Sequence, residues 1–307
     1  MAAFGRKPHF LKFSVLSGGP PTAAPNEHTK IKIAFALAGF YFARMRRIER
    51  LLFPAIATFT VLIATESFAQ RTNEAVLTVS SASGTNAVIQ NTATHPVPRD
   101  SGWIKRHEGF VQEAQKDGID IVFMGDSITD GWRGHGLNVW NEFYAPRHAA
   151  NFGIGGDRTQ HVLWRIEHGE LDGIHPKVVV LMIGTNNTGL EDNHKMPRNT
   201  VPEVAEGVQA IVNDIRARLP DSKILLLAIF PRGTLADPQR AQVALINTLI
   251  AKLDDGQMVK FLDIGSKFLE FDGTLPRSVM PDLLHPNAKG YQIWAEAMEP
   301  TLDKLLK

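Results

Sequence analysis

Residues 119–129, with the sequence IDIVFMGDSIT, predict the first strand of an α/β domain and the turn after it. The first six residues are a run of strand length that is apolar except for Asp120. A run without regular polar alternation is typical of a strand buried on both faces. Such strands belong to parallel sheets that helices cover on both sides. The run ends in Gly125-Asp126-Ser127, so a serine stands at the carboxyl end of the predicted strand.

Three further apolar runs of strand length follow along the chain, at 177–183, 223–230 and 259–264. Apolar residues at helical spacing lie around these runs, from the segment 103–116 to a last helix that includes 291–298. The alternation predicts an α/β fold with helices on both faces of a parallel sheet. In such sheets, ligands bind beyond the carboxyl ends of the strands, so the residues after each run are the candidates for chemistry.

The charged residues are unevenly distributed along the 307-residue chain. Lysine and arginine number 33 and aspartate and glutamate 32, but residues 1–69 hold nine basic and only three acidic residues. The remainder therefore holds 24 basic and 29 acidic residues, a net charge of −5. A net acidic folded part disfavours binding to a phosphate backbone, so we expect no nucleic-acid partner.

The segment 45–69 has the order of a signal peptide. Three arginines precede an apolar run at 51–63, and small residues follow it up to Ala69. The alternative is a membrane-anchoring helix, but the run is shorter than the ~20 residues that a span needs. We expect export to the periplasm or the cell exterior, with no stable membrane span in the mature chain. The absence of cysteine suits either redox environment.

Four segments are predicted along the chain. Residues 1–44 are an upstream extension, which is not translated if the chain starts at Met45, and residues 45–69 are the signal peptide. Residues 70–99 are rich in Ser, Thr, Asn and Ala, a composition typical of a flexible linker. The folded domain is expected to occupy residues 100–307.

Ser127 is the first candidate for chemistry. At a strand end, a serine can expose its hydroxyl as a nucleophile, and a helix-capping serine is the alternative for this motif alone. The Gly-x-Ser-x-Gly elbow of α/β-hydrolases does not fit, because Thr129 stands where the second glycine is needed.

A glycine-rich turn, NFGIGGD at 151–157, follows along the chain. Its uncovered backbone N–H groups could face an oxyanion or a phosphate, and a tight turn without further function is the alternative. A dinucleotide-binding fingerprint is disfavoured, because it needs a glycine where Arg158 stands.

Three further polar residues follow later strands. Asn186 lies in GTNN at 184–187, where its carboxamide can donate to a developing oxyanion, although asparagine is also common in ordinary turns. Asp282 precedes His285 by three residues, so it can accept from one ring nitrogen and leave the other as a base for a serine proton. A surface turn or a metal pair is the alternative. No third ligand at recognisable spacing accompanies the pair, so no metal site is predicted.

Together these four blocks resemble the SGNH hydrolase superfamily, the GDSL-like esterases, over about residues 97–300. The blocks at 151–165 and 184–187 are especially similar to the catalytic subunits of the intracellular platelet-activating-factor acetylhydrolases. The resemblance implies a three-layer α/β/α sandwich around a flavodoxin-like, doubly wound sheet of five parallel strands. It also implies a short second strand at 149–152, and it implies no cofactor.

The resemblance assigns roles by position. It makes Ser127 the nucleophile, His285 the base and Asp282 the acid that orients the base. It places the oxyanion donors at Ser127, Gly156 and Asn186.

The resemblance also implies a small acyl pocket. In similar enzymes, the positions of Ile128, Thr185 and Leu284 crowd the acyl group, so acetyl or similarly short groups are expected. The predicted function is a serine esterase that removes such groups from a small-molecule or glycan ester, most simply a carbohydrate ester. A short-acyl phospholipid hydrolase is the alternative substrate class, and a homodimer is compatible with either. The non-enzyme alternative is a flavodoxin-like module that binds FMN or another acidic ligand, which requires none of these residues.

Overall fold

The computed structural model describes residues 90–116, 118–191 and 196–307. The predicted upstream extension, the signal peptide and linker residues 70–89 lie outside the described residues. None of the helices within the described ranges is long and apolar enough to cross a membrane.

A parallel sheet of five strands forms the centre of the domain, with the order β2-β1-β3-β4-β5. The strands are β1 Ile121–Gly125, β2 Ala149–Gly153, β3 Val178–Met182, β4 Lys223–Leu227 and β5 Val259–Leu262. The four apolar runs and the strand implied by the resemblance are therefore confirmed. The strands that follow β1 in the chain lie on opposite sides of it, β2 on one side and β3 on the other, so the strand order reverses at β1. A doubly wound sheet opens a crevice for ligands at this point.

Seven α-helices lie within the described ranges; the first precedes β1, the last follows β5 and the other five lie between strands. They are α1 Ser101–Ala114, α2 Ser127–Asp130, α3 Leu137–Phe143, α4 Thr159–Glu167, α5 Val201–Arg218, α6 Pro238–Ile250 and α7 Ala288–Leu305. Side-chain caps start several of them. At α5, the Thr200 hydroxyl accepts from the Glu203 N–H while the Glu203 carboxylate accepts from the Thr200 N–H. This reciprocal capping satisfies N–H groups that the first turn of a helix leaves unpaired.

Two apolar clusters fill the space between the sheet and its helices. On one face, Val122 and Met124 of β1 pack with residues of α1, α4, α5 and α6. On the other face, Ile121 and Phe123 pack with α3 and α7, including Trp294. Both faces of β1 are therefore buried, which explains its lack of polar alternation. The three-layer α/β/α sandwich is confirmed.

The described end of the predicted linker is packed on the domain. Ala93, in a short helical turn at Thr92–Thr94, is fully buried, and its carbonyl accepts from Thr159 Oγ1 at 2.7 Å. The Asn91 amide donates to the Glu203 carbonyl at 3.3 Å. Described residues that precede position 100 are therefore packed on the domain. The polar composition of this segment did not predict this packing, because the contacts are made by backbone and amide groups.

Candidate active site

Ser127 is the first residue of α2, directly beyond the end of β1. The Asp126 carboxylate caps this short helix by accepting from the Ile128 N–H at 3.0 Å. Gly125 permits the sharp turn, because a Cβ there would collide with the Thr129 side chain and with the backbone of β3. The turn therefore holds Ser127 at the carboxyl edge of the sheet.

Three polar side chains form a hydrogen-bonded chain at this edge. Ser127 Oγ lies 2.8 Å from His285 Nε2, and His285 Nδ1 lies 2.6 Å from Asp282 Oδ2. The other carboxylate oxygen of Asp282 accepts from the N–H groups of Leu284 and His285, at 3.0 and 2.8 Å. Leu283, inside this turn, has a φ of 61°, which is uncommon for leucine. The tight turn directs both side chains toward Ser127.

The charge state of Asp282 suits it to orient His285. Partial burial opposes its ionisation, but hydrogen bonds from the backbone and ring of His285 and from the Leu284 N–H lower the pKa of Asp282 to about 2. At neutral pH the ionised carboxylate accepts from Nδ1–H. Nε2 is then the acceptor that faces the Ser127 hydroxyl.

The pKa of Asp126, next to Ser127, is shifted in the opposite direction, upward. The residue is only 1% exposed. Burial raises the pKa of this carboxyl to about 7, with a further contribution from the negative charge of Asp157. The Ile128 N–H and the positive charge of Arg232 oppose the shift without cancelling it. Near neutral pH this acid is therefore partly protonated.

The glycine turn that carries Gly156 passes beside Ser127, and Asn186 contacts the same turn. A Cβ on Gly155 would come 3.7 Å from the Ser127 Cβ, and Gly156 has a φ of 80°, which favours glycine. Asn186 Nδ2 donates to the Asp157 carbonyl at 2.9 Å and retains a second N–H. Within the described ranges, the N–H groups of Ser127 and Gly156 have no acceptor in the chain.

Asp157, which the motifs did not single out, anchors the glycine turn. Its fully buried carboxylate accepts from Trp103 Nε1 at 2.7 Å and from Arg99 Nη1 at 3.0 Å, and it lies 3.1 Å from Arg165 Nε. Arg165 is also fully buried and pairs with Glu170. Burial raises the pKa of Asp157 above its usual range and that of Glu170 to about 7. The sequence signal for this role was a charged residue directly after the glycines. Its partners lie on other elements, so the sequence could not identify them.

Residues 123–293 match the GDSL-like lipase/acylhydrolase family. The chain belongs to this family. It is 37% identical over 223 residues to the human platelet-activating factor acetylhydrolase IB subunit alpha1, a match that covers 71% of this chain and 92% of that protein.

Solved structures share the fold of this acylhydrolase. A GDSL-like lipase from Bacteroides thetaiotaomicron superposes with a TM-score of 0.53 at 17% identity, covering 64% of this chain and 97% of that one. An acetylxylan esterase from Geobacillus stearothermophilus gives 0.50 at 21% identity, covering 62% and 96%. The family membership makes the protein a carboxylic ester hydrolase, and it decides against the flavodoxin-like binding module.

The three residues predicted to form the acyl pocket of the acylhydrolase differ in their surroundings. Ile128 is 1% exposed and belongs to the apolar cluster under α7, and its carbonyl accepts from the Tyr291 hydroxyl at 2.7 Å. Thr185 is buried, and Leu284 is partly buried against the same cluster as Ile128. Burial of Ile128 gives it a packing role. The crowded acyl pocket stays a prediction.

Two grooves open beside residues of the candidate site in the acylhydrolase. The first groove, of about 760 Å³, is named the polar groove for the polar side chains in its lining, although Leu190, Pro197 and Pro238 also line it. These polar side chains are Thr188, Arg198, Arg232, Asp237, Gln239 and Gln242. The apolar groove, of about 550 Å³, is lined in part by Leu235, Ala236, Leu275, Pro276 and Leu283. Arg232 connects the polar groove to the site, because its Nη1 donates to Thr185 Oγ1 at 3.1 Å, beside Asn186. Leu283 connects the apolar groove to the turn that carries His285.

In the described ranges, no group of three acidic or histidine side chains could hold a metal ion.

Proposed function

We propose that Ser127 is the nucleophile of the ester hydrolysis, with His285 as general base and Asp282 as the acid that orients it. The observation that carries the proposal is the hydrogen-bonded chain from Ser127 Oγ through the His285 ring to Asp282. Ser127 Oγ attacks the acyl carbonyl while Nε2 takes its proton. The proton then passes to the departing alcohol, and a water activated by Nε2 releases the acyl group from Ser127.

The negative charge that develops on the carbonyl oxygen is assigned to three donors. They are the N–H groups of Ser127 and Gly156 and the second N–H of Asn186 Nδ2. Support comes from the unpaired state of the two backbone N–H groups and from the glycine turn, in which Gly155 lies next to the Ser127 side chain. Donors held rigidly before the reaction stabilise an oxyanion without having to reorganise.

The acyl group of the substrate is proposed to be acetyl or similarly short. The flanking residues Ile128 and Leu284 are branched aliphatics packed in one apolar cluster, so neither can move aside without disturbing it. Forcing extra methylenes into packed space typically costs about 1–3 kcal/mol. The acetylhydrolase name of the human relative agrees with this choice.

The alcohol part of the substrate is proposed to be a carbohydrate. The polar groove offers hydroxyl, amide and guanidinium groups next to Asn186, and such groups suit a partner with many hydroxyls. The acetylxylan esterase with the same fold is a carbohydrate esterase by name, although at 21% identity that likeness speaks for the fold alone.

A short-acyl phospholipid is the second candidate. The apolar groove beside Leu283 is suited to a hydrocarbon chain, and the sequence relative is named for the acetyl ester of platelet-activating factor.

The test is a substrate panel. Acetylated xylo-oligosaccharides, acetylated monosaccharides and short-acyl phospholipids are compared by kcat/KM, with Ser127→Ala as the control for each. A carbohydrate acetyl ester is expected to give the highest value. A phospholipid that exceeds every carbohydrate would replace the first candidate by the second. Retention of wild-type activity by Ser127→Ala would reject the proposed nucleophile.

The enzyme is further proposed to act outside the cytoplasm, as a periplasmic or extracellular esterase. Support comes from the signal-peptide pattern at 45–69 in the sequence, a segment that lies outside the described residues. A polymeric acetylated glycan would be accessible to an exported enzyme.

A further inference from the structure

Arg99 reaches the glycine turn from a part of the chain that precedes α1. It lies outside residues 123–293, which match the family, and within the segment that the composition predicted to be a linker. Its Nη1 donates to the Gly155 carbonyl at 2.8 Å and to Asp157 Oδ1 at 3.0 Å. The guanidinium also covers Gly156, since a Cβ on that residue would lie 3.3 Å from both terminal nitrogens of Arg99. Arg99 therefore holds the turn from one side.

The contact to the Gly155 carbonyl has a consequence for the next N–H group. The chain has no cis peptide among the described residues, so the C=O and N–H of the Gly155–Gly156 peptide point in opposite directions. With the carbonyl held by Arg99, the Gly156 N–H points away from Arg99. When glycines flank a peptide group on both sides, their φ and ψ angles are less restricted, so the plane of that peptide can turn more easily. A contact is therefore needed to hold this orientation.

The contact to Asp157 reaches a second donor. The Asp157 carbonyl accepts from Asn186 Nδ2, so the position of this residue determines where the second N–H of Asn186 points. The Asp157 side chain is held by Arg99 together with Trp103 and Arg165. One arginine thus contacts both the peptide that carries the Gly156 N–H and the residue that receives the Asn186 amide.

We propose that Arg99 is a positioning residue that aligns the Gly156 N–H and the Asn186 amide toward the oxyanion formed at Ser127. The inference rests on the proposed function, because it assumes that these groups are the oxyanion donors. An arginine that formed only a surface ion pair would influence the stability of the protein and leave the transition state of the reaction unaffected.

The Arg99 side chain is 30% exposed, so the cavity left by its removal fills with water and the turn can relax.

The experiment compares Arg99→Ala, Arg99→Lys and Trp103→Phe in the full chain. Trp103→Phe removes one hydrogen bond to Asp157 and leaves the Gly155 carbonyl held. The matched control is Arg218→Ala, which removes an arginine of similar exposure, 35%, from an ion pair with Asp172. For each variant, kcat, KM and the melting temperature are measured with p-nitrophenyl acetate. The inhibition constant of a short trifluoromethyl ketone is measured as well, since its adduct with the serine places an oxyanion among the donors.

The expected result for Arg99→Ala is a loss of about 10- to 100-fold in kcat with KM changed less than about twofold, since a misaligned donor costs less than a deleted one. Ketone affinity should fall by the same factor as kcat/KM. For Arg99→Lys, kcat and ketone affinity should lie between those of wild type and Arg99→Ala. Trp103→Phe should lose less of both than Arg99→Ala, and Arg218→Ala should match wild type in both.

Two results would overturn the inference. One is a kcat for Arg99→Ala within about twofold of wild type. The other is a lower kcat with unchanged affinity for the ketone, because the arginine would then act on something other than the oxyanion. If Arg99→Ala fails to fold, the same two criteria are applied to Arg99→Lys. A failure of the proposed function is recognised separately, by wild-type activity in Ser127→Ala.

Discussion

The Ser127 hydroxyl lies 2.8 Å from Nε2 of His285, a residue 158 positions away along the chain. Ser127 begins a helix after β1, whereas His285 lies in the turn before α7. Their contact therefore depends on the packing of α7 and its preceding turn against the sheet. In the proposed mechanism the two side chains share one proton-transfer path, so they are expected to act as a unit.

The coupling of Ser127 and His285 can be measured in a double-mutant cycle. Ser127→Ala and His285→Ala should each lower kcat by about 10⁴-fold or more, and the double variant should be scarcely worse than either one. The measurement is kcat/KM for p-nitrophenyl acetate in the four proteins. Losses that multiply would show that the two side chains act independently and would point to another nucleophile.

Removal of the Asn186 side chain should give a smaller loss. Asn186→Ala deletes one of three proposed donors, which typically costs about 10²- to 10³-fold in kcat. Activity should therefore remain measurable where Ser127→Ala shows none. Circular dichroism checks that the fold persists, since the Asp157 carbonyl also loses its hydrogen bond. Equal losses in the two variants would contradict a donor role.

The raised pKa of Asp126 predicts a pH-dependent difference in stability. The folded protein keeps this acid protonated up to about pH 7, whereas the unfolded chain releases the proton near 3.8. Over that interval the folded state binds more protons, so the free energy of unfolding falls as pH rises. Asp126→Asn keeps the oxygen that caps α2 and removes the titration, so wild type should lose stability relative to this variant between pH 3.8 and about 7.

Urea unfolding at a series of pH values measures the difference. Asp221→Asn, a change at an exposed acid, serves as the control and should follow wild type. Parallel curves for wild type and Asp126→Asn would show that the buried carboxyl has an ordinary pKa.

The chain-length profile tests the acyl pocket. Wild type should cleave p-nitrophenyl acetate faster than the butyrate and hardly cleave the octanoate, since a crowded site offsets the ~0.8 kcal/mol that each buried methylene would contribute. Leu284→Ala and Ile128→Ala should shift the optimum to longer chains. Because Ile128 is buried, its truncation should also destabilise the fold, by about 2–5 kcal/mol. Leu284→Ala is therefore the cleaner probe. A wild type that prefers octanoate, or truncations that leave the optimum in place, would count against the pocket.

The mature N-terminus tests the proposed export. In a bacterial host that exports the protein, N-terminal sequencing should find a start near Gln70, after the small residues Ser67 and Ala69. Ala69→Arg should block the cleavage. An exported chain that still contains residues 51–63 would indicate a membrane anchor instead.

The placement of Ser127 and Asn186 was predictable from the sequence because each of them lies shortly after the end of a strand. The carboxyl ends of parallel strands meet at one edge, so Ser127 and Asn186 had to come near each other once the strands were identified. His285 lies 23 residues beyond β5, so its role was predicted from its spacing to Asp282 and from the resemblance. The strand β2 escaped the apolar-run criterion because it contains Asn151. The amide of Asn151 is buried and satisfied locally, donating to the Thr129 carbonyl and accepting from the Gly153 N–H.

By itself, the sequence determined the parallel sheet and the positions of the candidate motifs. Burial on both faces of a strand and the residues that follow a strand are local properties, which a sequence pattern can show. Only the tertiary structure decided that Arg99, Trp103 and Arg165 converge on Asp157 beneath the glycine turn. These contacts join residues more than 50 positions apart in two of the three cases. They depend on how α1 and α4 pack against the sheet, and hydrophobic periodicity contains no information about which distant polar partners a buried charge will meet.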